Sequence, residues 1–236
     1  MNPNTLKKIQ RLLNGESFRT KEPGNSMLPL YKSNEEHLLT PITWNKCKVG
    51  DVVFCKVRGS CITHKVYAID SRCHGKSENT EKISYDLMAK DVIEFIKQKE
   101  IESPILYGFS DGGIIGLKIA IEEPNLLSKL IVSGANINPK GMKNMTLFWC
   151  KFAYWISKDK LIKMMIDEPN ILPSELAKIK IPVHVIAGQK DVIKQKHTML
   201  IANSIKNSTL DIIPNENHGS YIVDSEKIYY IIKKYI

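Results

Sequence analysis

A serine framed by two glycines, Gly108-Phe109-Ser110-Asp111-Gly112, carries the strongest chemical signal in this chain. Pro104-Ile105-Leu106-Tyr107 before it reads as a short buried strand, and the apolar run from Gly113 to Ile121 after it reads as a buried helix. A serine on such a turn is lifted clear of the sheet, at the N-terminus of a helix whose free amides can hold a developing oxyanion. The turn predicts glycine two places to either side, because a side chain there collides with strand or helix. A serine hydroxyl also needs a base within reach and a carboxylate to orient that base. Asp191 follows the apolar strand Ile181–Gly188, and a carboxylate just past a strand's C-terminal end faces the rim that carries the serine. His218 follows a further strand, Leu210-Asp211-Ile212-Ile213. Together these residues predict nucleophilic attack on a carbonyl. Ser110 would attack, His218 would take the proton, Asp191 would hold the imidazole and the Asp111 amide would donate to the oxyanion.

Other titratable groups fit less well. His184 lies inside an apolar strand and reads as a packed core residue, while His197 falls in a polar helical stretch and reads as facing solvent. Asp211, at a strand start, and Glu216 are the alternative carboxylates.

The supporting elements follow from periodicity. Tyr85 to Lys99 has the apolar spacing of an amphipathic helix through Leu87, Val92, Ile93, Phe95 and Ile96. Leu130–Gly134 reads as a strand and Ser225–Tyr235 as a closing helix. Phe148 to Ile156 is aromatic and apolar, interrupted by Lys151, and reads either as a lid over an acyl pocket or as a packed core helix.

From residue 66 to 236 the chain resembles an α/β-hydrolase. Val66-Tyr67-Ala68-Ile69-Asp70 and the loop Ser71-Arg72-Cys73-His74-Gly75-Lys76-Ser77 are similar to that family's fourth strand and the loop after it. The order serine, aspartate, histidine is also the hydrolase order. Cys73 stands where the family has glycine, so a positive φ there would strain the loop. The resemblance implies an α/β fold, an incomplete, mostly parallel hydrolase-type sheet with flanking helices, preceded by a short β-rich segment. It also implies hydrolysis of a carboxylic ester, less readily an amide, through an acyl-enzyme with no cofactor or metal. The family's first three strands, and the His-Gly-rich loop that supplies a second oxyanion amide, have no counterpart between Met1 and Val66. A non-catalytic remnant with a half-built oxyanion hole is therefore a second reading.

The residues before this joint resemble a different family. Gly24-Asn25-Ser26-Met27-Leu28-Pro29, then Gly50-Asp51-Val52-Val53-Phe54, then Ile62-Thr63-His64-Lys65-Val66 are similar, over about residues 15–69, to signal peptidases and self-cleaving phage repressors. That resemblance implies a peptidase with Ser26 as nucleophile and His64 as base. The plainer reading puts Ser26 in a turn built by Gly24 and Pro29, with His64 an exposed strand residue. The expected division is residues 1–65 as a small β-rich segment and 66–236 as the hydrolase-like domain.

Composition sets wider bounds. The 236 residues are 43% hydrophobic, ordinary for a globular protein, with a formal net charge of +9. Residues 1–65 hold 11 basic against 5 acidic side chains, and the rest 23 against 20. No recognition helix, zinc finger or aromatic-and-basic pattern accompanies that basic head, so no nucleic-acid partner is expected. The five cysteines form no C-x-x-C pair, which speaks against a zinc site or disulfide framework and suits a reducing cytoplasm. Asn4 to Asn14 carries an apolar stripe without the continuous run of a signal peptide, and no stretch is long enough to span a bilayer. The expected partner is a small ester or amide, without a membrane role; oligomeric state is left open.

Overall fold

The computed structural model describes residues 67–223, 225–233 and 235, and before them 7, 10–12, 14–21, 36–39, 52–57 and 60–65. The chain divides into two compact units, residues 1–69 with Ile236, and residues 70–235. In the first unit β1 (Phe18–Lys21) pairs antiparallel with β2 (Glu36–Leu39), and β3 (Val52–Val57) with β4 (Ser60–Lys65). His64 stands opposite Val53 in this second ladder. The His64 side chain, all of Gly24–Pro29 with Ser26, and most of Asn4–Asn14 lie outside the described residues.

Of the strand expected from Val66 to Ile69, Val66 lies outside the described residues and Tyr67 to Ile69 form no strand. β4 ends at Lys65, residues 67–70 are irregular and Ile69 is exposed. An apolar run becomes a strand only where a neighbour takes up its backbone hydrogen bonds. Here the antiparallel hairpin with β3 has already used the chain up to Lys65.

The second unit is built on four parallel strands in spatial and sequence order: β5 (Ile105–Phe109), β6 (Lys129–Ser133), β7 (Val183–Gly188) and β8 (Ser208–Ile213). Parallel strands covered on both faces read as continuous apolar runs. β7 accordingly buries all six of its residues, and β6 four of its five. The helices are α1 (Tyr85–Gln98), α2 (Asp111–Glu122), α3 (Asn144–Ser157), α4 (Lys160–Asp167), α5 (Pro173–Leu176), α6 (Gln195–Ser204) and α7 (Lys227–Ile232).

Ser84 caps α1 by accepting the Leu87 amide proton at 3.1 Å. The helix buries Tyr85, Met88, Ala89, Val92, Ile93 and Ile96, a stripe at 3.6-residue spacing that packs with α2. Helix α2 is apolar nearly all round, with Ile114, Ile115, Leu117, Ile119 and Ala120 buried. Burial of this kind stabilises by roughly 2 kcal/mol per large aliphatic side chain. Helix α3 differs from both: it buries none of its residues, so the core-helix reading of Phe148–Ile156 is corrected. Its apolar stripe faces outward.

Because all four strands run the same way, the segments after Phe109, Ser133, Gly188 and Ile213 emerge at one rim of the sheet. Three of them carry the candidate site.

Candidate active site

Ser110 occupies the turn between β5 and α2 with φ 53° and ψ −114°, a conformation that side-chain-bearing residues rarely adopt. Its amide donates to the Ser133 carbonyl at 2.8 Å, which fastens the turn to β6. Its carbonyl accepts from the amides of Gly113 and Ile114, and the amides of Asp111 and Gly112 precede that ladder at the positive end of the helix. The steric demand of the turn falls on one side only. A Cβ on Gly108 would lie 2.1 Å from the Gly112 carbonyl oxygen, whereas one on Gly112 would meet nothing within 4 Å. The expectation of an obligatory glycine on both sides is thus corrected at Gly112, because its α-carbon already points away from the strand.

His218 bridges the rim. Its Nε2 lies 3.1 Å from Ser110 Oγ and its Nδ1 lies 2.8 Å from Asp191 Oδ1. Asp191 is 2% exposed, and its Oδ1 also accepts the Ile193 amide proton at 2.9 Å. Its Oδ2 is buried with no hydrogen-bond partner. The carboxylate thus faces the imidazole from a site that water does not reach. The loops that carry the two groups are tied together, since the Lys190 amide donates to the Glu216 carbonyl at 2.8 Å. The Phe109 ring lies 4.8 Å from the imidazole. On another side Gly134, at φ 62°, leaves the space the ring needs: a Cβ there would sit 2.9 Å from His218 Cε1. One further contact braces this loop, the Tyr221 hydroxyl 2.7 Å from Ser133 Oγ in the buried interior.

The Asp111 side chain is held aside by Tyr85, whose hydroxyl donates to Oδ1 at 2.6 Å. Burial, reinforced by the carboxylates of Asp111 and Glu168, pushes the Tyr85 phenol far above the ordinary tyrosine range and keeps it a donor. A cavity of about 130 Å³ opens beside Ser110 and His218, lined among others by Met142, Thr146, Met165, Val192 and Ile193. A serine, a base, a buried carboxylate and helix-terminal amides beside an apolar cavity are the parts needed for acyl transfer. Among the described residues no cluster of histidine, cysteine and carboxylate side chains is arranged to hold a metal ion.

The remaining sequence candidates are placed elsewhere. His184 is buried on β7, its Nδ1 2.6 Å from Thr209 Oγ1 and its ring stacked on Tyr235, as a core residue should be. Asp211 lies in the middle of β8 rather than at its start, with Oδ2 3.3 Å from His184 Nε2. Glu216 engages Ser220 and Lys227, both at 2.5 Å. His197 departs from the solvent-facing expectation: its Nε2 accepts the Ile137 amide proton at 3.0 Å. That partner lies 60 positions away in sequence, beyond the reach of any local pattern. Cys73 does take a positive φ, 64°, in the loop where the family has glycine. No local sequence signal marks Tyr85 or Tyr221 as site neighbours.

Comparison with known proteins agrees with this architecture. Residues 63–171 match the family described as serine aminopeptidase, S33. The sn-1-specific diacylglycerol lipase ABHD11 of Danio rerio is 33% identical over 113 residues, covering 48% of this chain and 34% of the lipase. Ethanol acetyltransferase 2 of Hanseniaspora uvarum is 34% identical over 85 residues, covering 35% of this chain and 24% of that protein. The chain therefore spans only about a quarter to a third of the length of these curated relatives. Among solved structures, the esterase of Exiguobacterium antarcticum superposes with a TM-score of 0.58 at 23% identity, covering 70% of this chain and 79% of the esterase. Its likeness is one of fold, and with the family match it shows that residues 70–235 take an α/β-hydrolase-type fold.

Proposed function

We propose that the 70–235 unit hydrolyses a carboxylic ester, and less readily an amide, through an acyl-enzyme on Ser110. The observation that carries this reading is the unbroken chain from Ser110 Oγ through the His218 ring to the buried Asp191 carboxylate. His218 Nε2 takes the hydroxyl proton as Oγ bonds to the carbonyl carbon, and returns it to the departing alcohol. Asp191 fixes Nδ1 as the protonated nitrogen and stabilises the imidazolium. The Asp111 amide donates to the carbonyl oxygen as it becomes an oxyanion. Water then repeats the cycle on the acyl-enzyme, with His218 again as base. No metal or organic cofactor enters any of these steps.

The cavity of about 130 Å³ suits a small acyl group, since a cavity of about 150 Å³ holds benzene. Among the described residues one oxyanion amide, that of Asp111, is supplied by α2, and a hole with one amide stabilises the transition state by roughly 3–4 kcal/mol less than one with a pair. Turnover should accordingly be slow. An odd count of five cysteines without a C-x-x-C pair supports a reducing, cytoplasmic setting for this activity.

A fluorophosphonate probe tests the assignment. Label should attach to Ser110, disappear in Ser110→Ala and His218→Ala, and persist in Ser26→Ala, with hydrolysis of a short-chain ester following the same pattern. Labelling that survives Ser110→Ala and vanishes in Ser26→Ala or His64→Ala would move the activity to the peptidase-like head. A folded chain that takes no label would be the non-catalytic remnant.

A further inference from the structure

Helix α3 turns its apolar side to water. Met145, Phe148, Trp149, Phe152, Trp155 and Ile156 recur at i, i+3, i+4, i+7, i+10 and i+11, and all six are exposed, Trp149 by 57% and Trp155 by 68%. At 100° per residue these positions fall on one continuous stripe. Four aromatic rings run along it, Phe148 to Trp149 and Trp149 to Phe152 edge to face with centroids 5.6 and 5.8 Å apart, and Phe152 stacked against Trp155 at 6.1 Å. The opposite side of the helix, with Leu147, Cys150, Ala153 and Tyr154 half-buried, packs toward α4, and its Thr146 lines the cavity beside Ser110. A surface helix normally has the reverse orientation, polar outside and apolar within. An exposed apolar stripe of this length calls for a cover.

Charge and composition indicate which cover. Residues 139–163 contain six lysines and a single carboxylate, Asp159. Lys151 and Lys158, seven residues apart, lie along one flank of the stripe, and Lys143 precedes its N-terminal end. None of the three enters an ion pair among the described residues. Two symmetric copies of the stripe would bring lysines together with only Asp159, already engaged in capping α4, to oppose them. A bilayer surface suits both features, since tryptophan and phenylalanine settle at the headgroup boundary while lysines meet anionic headgroups. At 14 residues, or about 21 Å, α3 has the length to lie in that boundary. No helix among the described residues is long and apolar enough to cross it.

We propose that α3 docks this chain onto anionic lipid surfaces, with the Phe148–Trp149–Phe152–Trp155 stripe inserted at the headgroup level and Lys151 and Lys158 on the phosphates. This departs from the sequence expectation of no membrane role. It does not rest on the hydrolase reading, because docking is measured without turnover.

Titration of the full chain with phosphatidylcholine vesicles, with and without phosphatidylglycerol, tests it. Tryptophan emission should shift to the blue and the chain should co-sediment only with the anionic vesicles, more weakly as salt is raised. The Ser110→Ala variant should bind as the native chain does. In the combined variant Phe148→Ser, Trp149→Ser, Trp155→Ser the vesicle partition coefficient should fall at least about tenfold, and Lys151→Glu with Lys158→Glu should also weaken it. The fold of each variant is checked by circular dichroism. If the aromatic variant fails to fold, the lysine pair decides. Absence of binding to anionic vesicles would overturn the proposal, as would binding that the substitutions leave untouched. A dimer that the aromatic substitutions split, in a chain that binds no vesicle, would assign the stripe to a second copy instead.

Discussion

The Tyr221 hydroxyl meets Ser133 Oγ at 2.7 Å, and the carbonyl of the same Ser133 accepts the Ser110 amide proton at 2.8 Å. One residue of β6 therefore holds the serine turn through its backbone and the histidine loop through its side chain. Replacing Tyr221 with phenylalanine removes only the second link and leaves the buried Ser133 hydroxyl without that partner. Stability should drop by about 1–2 kcal/mol in urea unfolding. If the link positions His218, kcat on a short-chain ester should fall by about tenfold with KM unchanged. An unaltered kcat would reduce Tyr221 to a packing role.

Asp191 is expected to act through the imidazole alone. Asparagine there has nearly the same shape, and its oxygen at the Oδ1 position can keep both the Ile193 amide and the His218 Nδ1 contacts, but the negative charge that stabilises the imidazolium is gone. Steady-state kinetics of Asp191→Asn should show kcat reduced by about 10³- to 10⁴-fold. The melting temperature should change little.

The two glycines that frame the serine should behave differently. Gly108→Ala places a methyl group 2.1 Å from the Gly112 carbonyl oxygen and should cost more than about 3 kcal/mol, visible as loss of soluble folded protein. Gly112→Ala enters open space near the start of a helix and should raise stability by about 0.5–1 kcal/mol. Equal effects of both substitutions in thermal melts would contradict the one-sided geometry of the turn.

His197 links stability to pH. Burial, and secondarily the Lys194 cation, push its pKa below the ordinary 6.5. The unfolded chain therefore binds the proton first on acidification. The stabilising contribution is present above about pH 6.5 and declines as pH falls toward the lower folded value. Protonation also costs the bond that Nε2 accepts from the Ile137 amide. Melting temperatures taken from about pH 8 down to about pH 5 should decline on the acid side, with a shallower slope in His197→Gln.

Much of this arrangement is local, and the local parts are legible. The strands β5 to β8 are short apolar runs ended by turn residues. Ser110, Asp191 and His218 each follow such a run, so parallel pairing brings them to one rim without further information. What the sequence hid are relations between distant segments. The 3.6-residue stripe of α3 reads the same whether it faces a core or water, and only the packing of its other side distinguishes the two. The His197–Ile137 bond and the Tyr221–Ser133 bond join residues 60 and 88 positions apart. Tyr67–Ile69 form no strand for a related reason: β propensity is realised only where a partner ladder exists, and the β3–β4 ladder ends at Lys65.

The left-handed backbone of Ser110 has a consequence for how this chain can change. A residue with a side chain held at φ 53° raises the folded-state energy by roughly 1–3 kcal/mol, a penalty that glycine escapes. Ser110→Gly should therefore melt at a higher temperature than the native chain. Mutational drift at this position runs downhill in stability and away from the hydroxyl. A lineage that keeps a serine here is holding it against a thermodynamic slope, and relaxed selection would be recorded first as a sturdier, inert descendant.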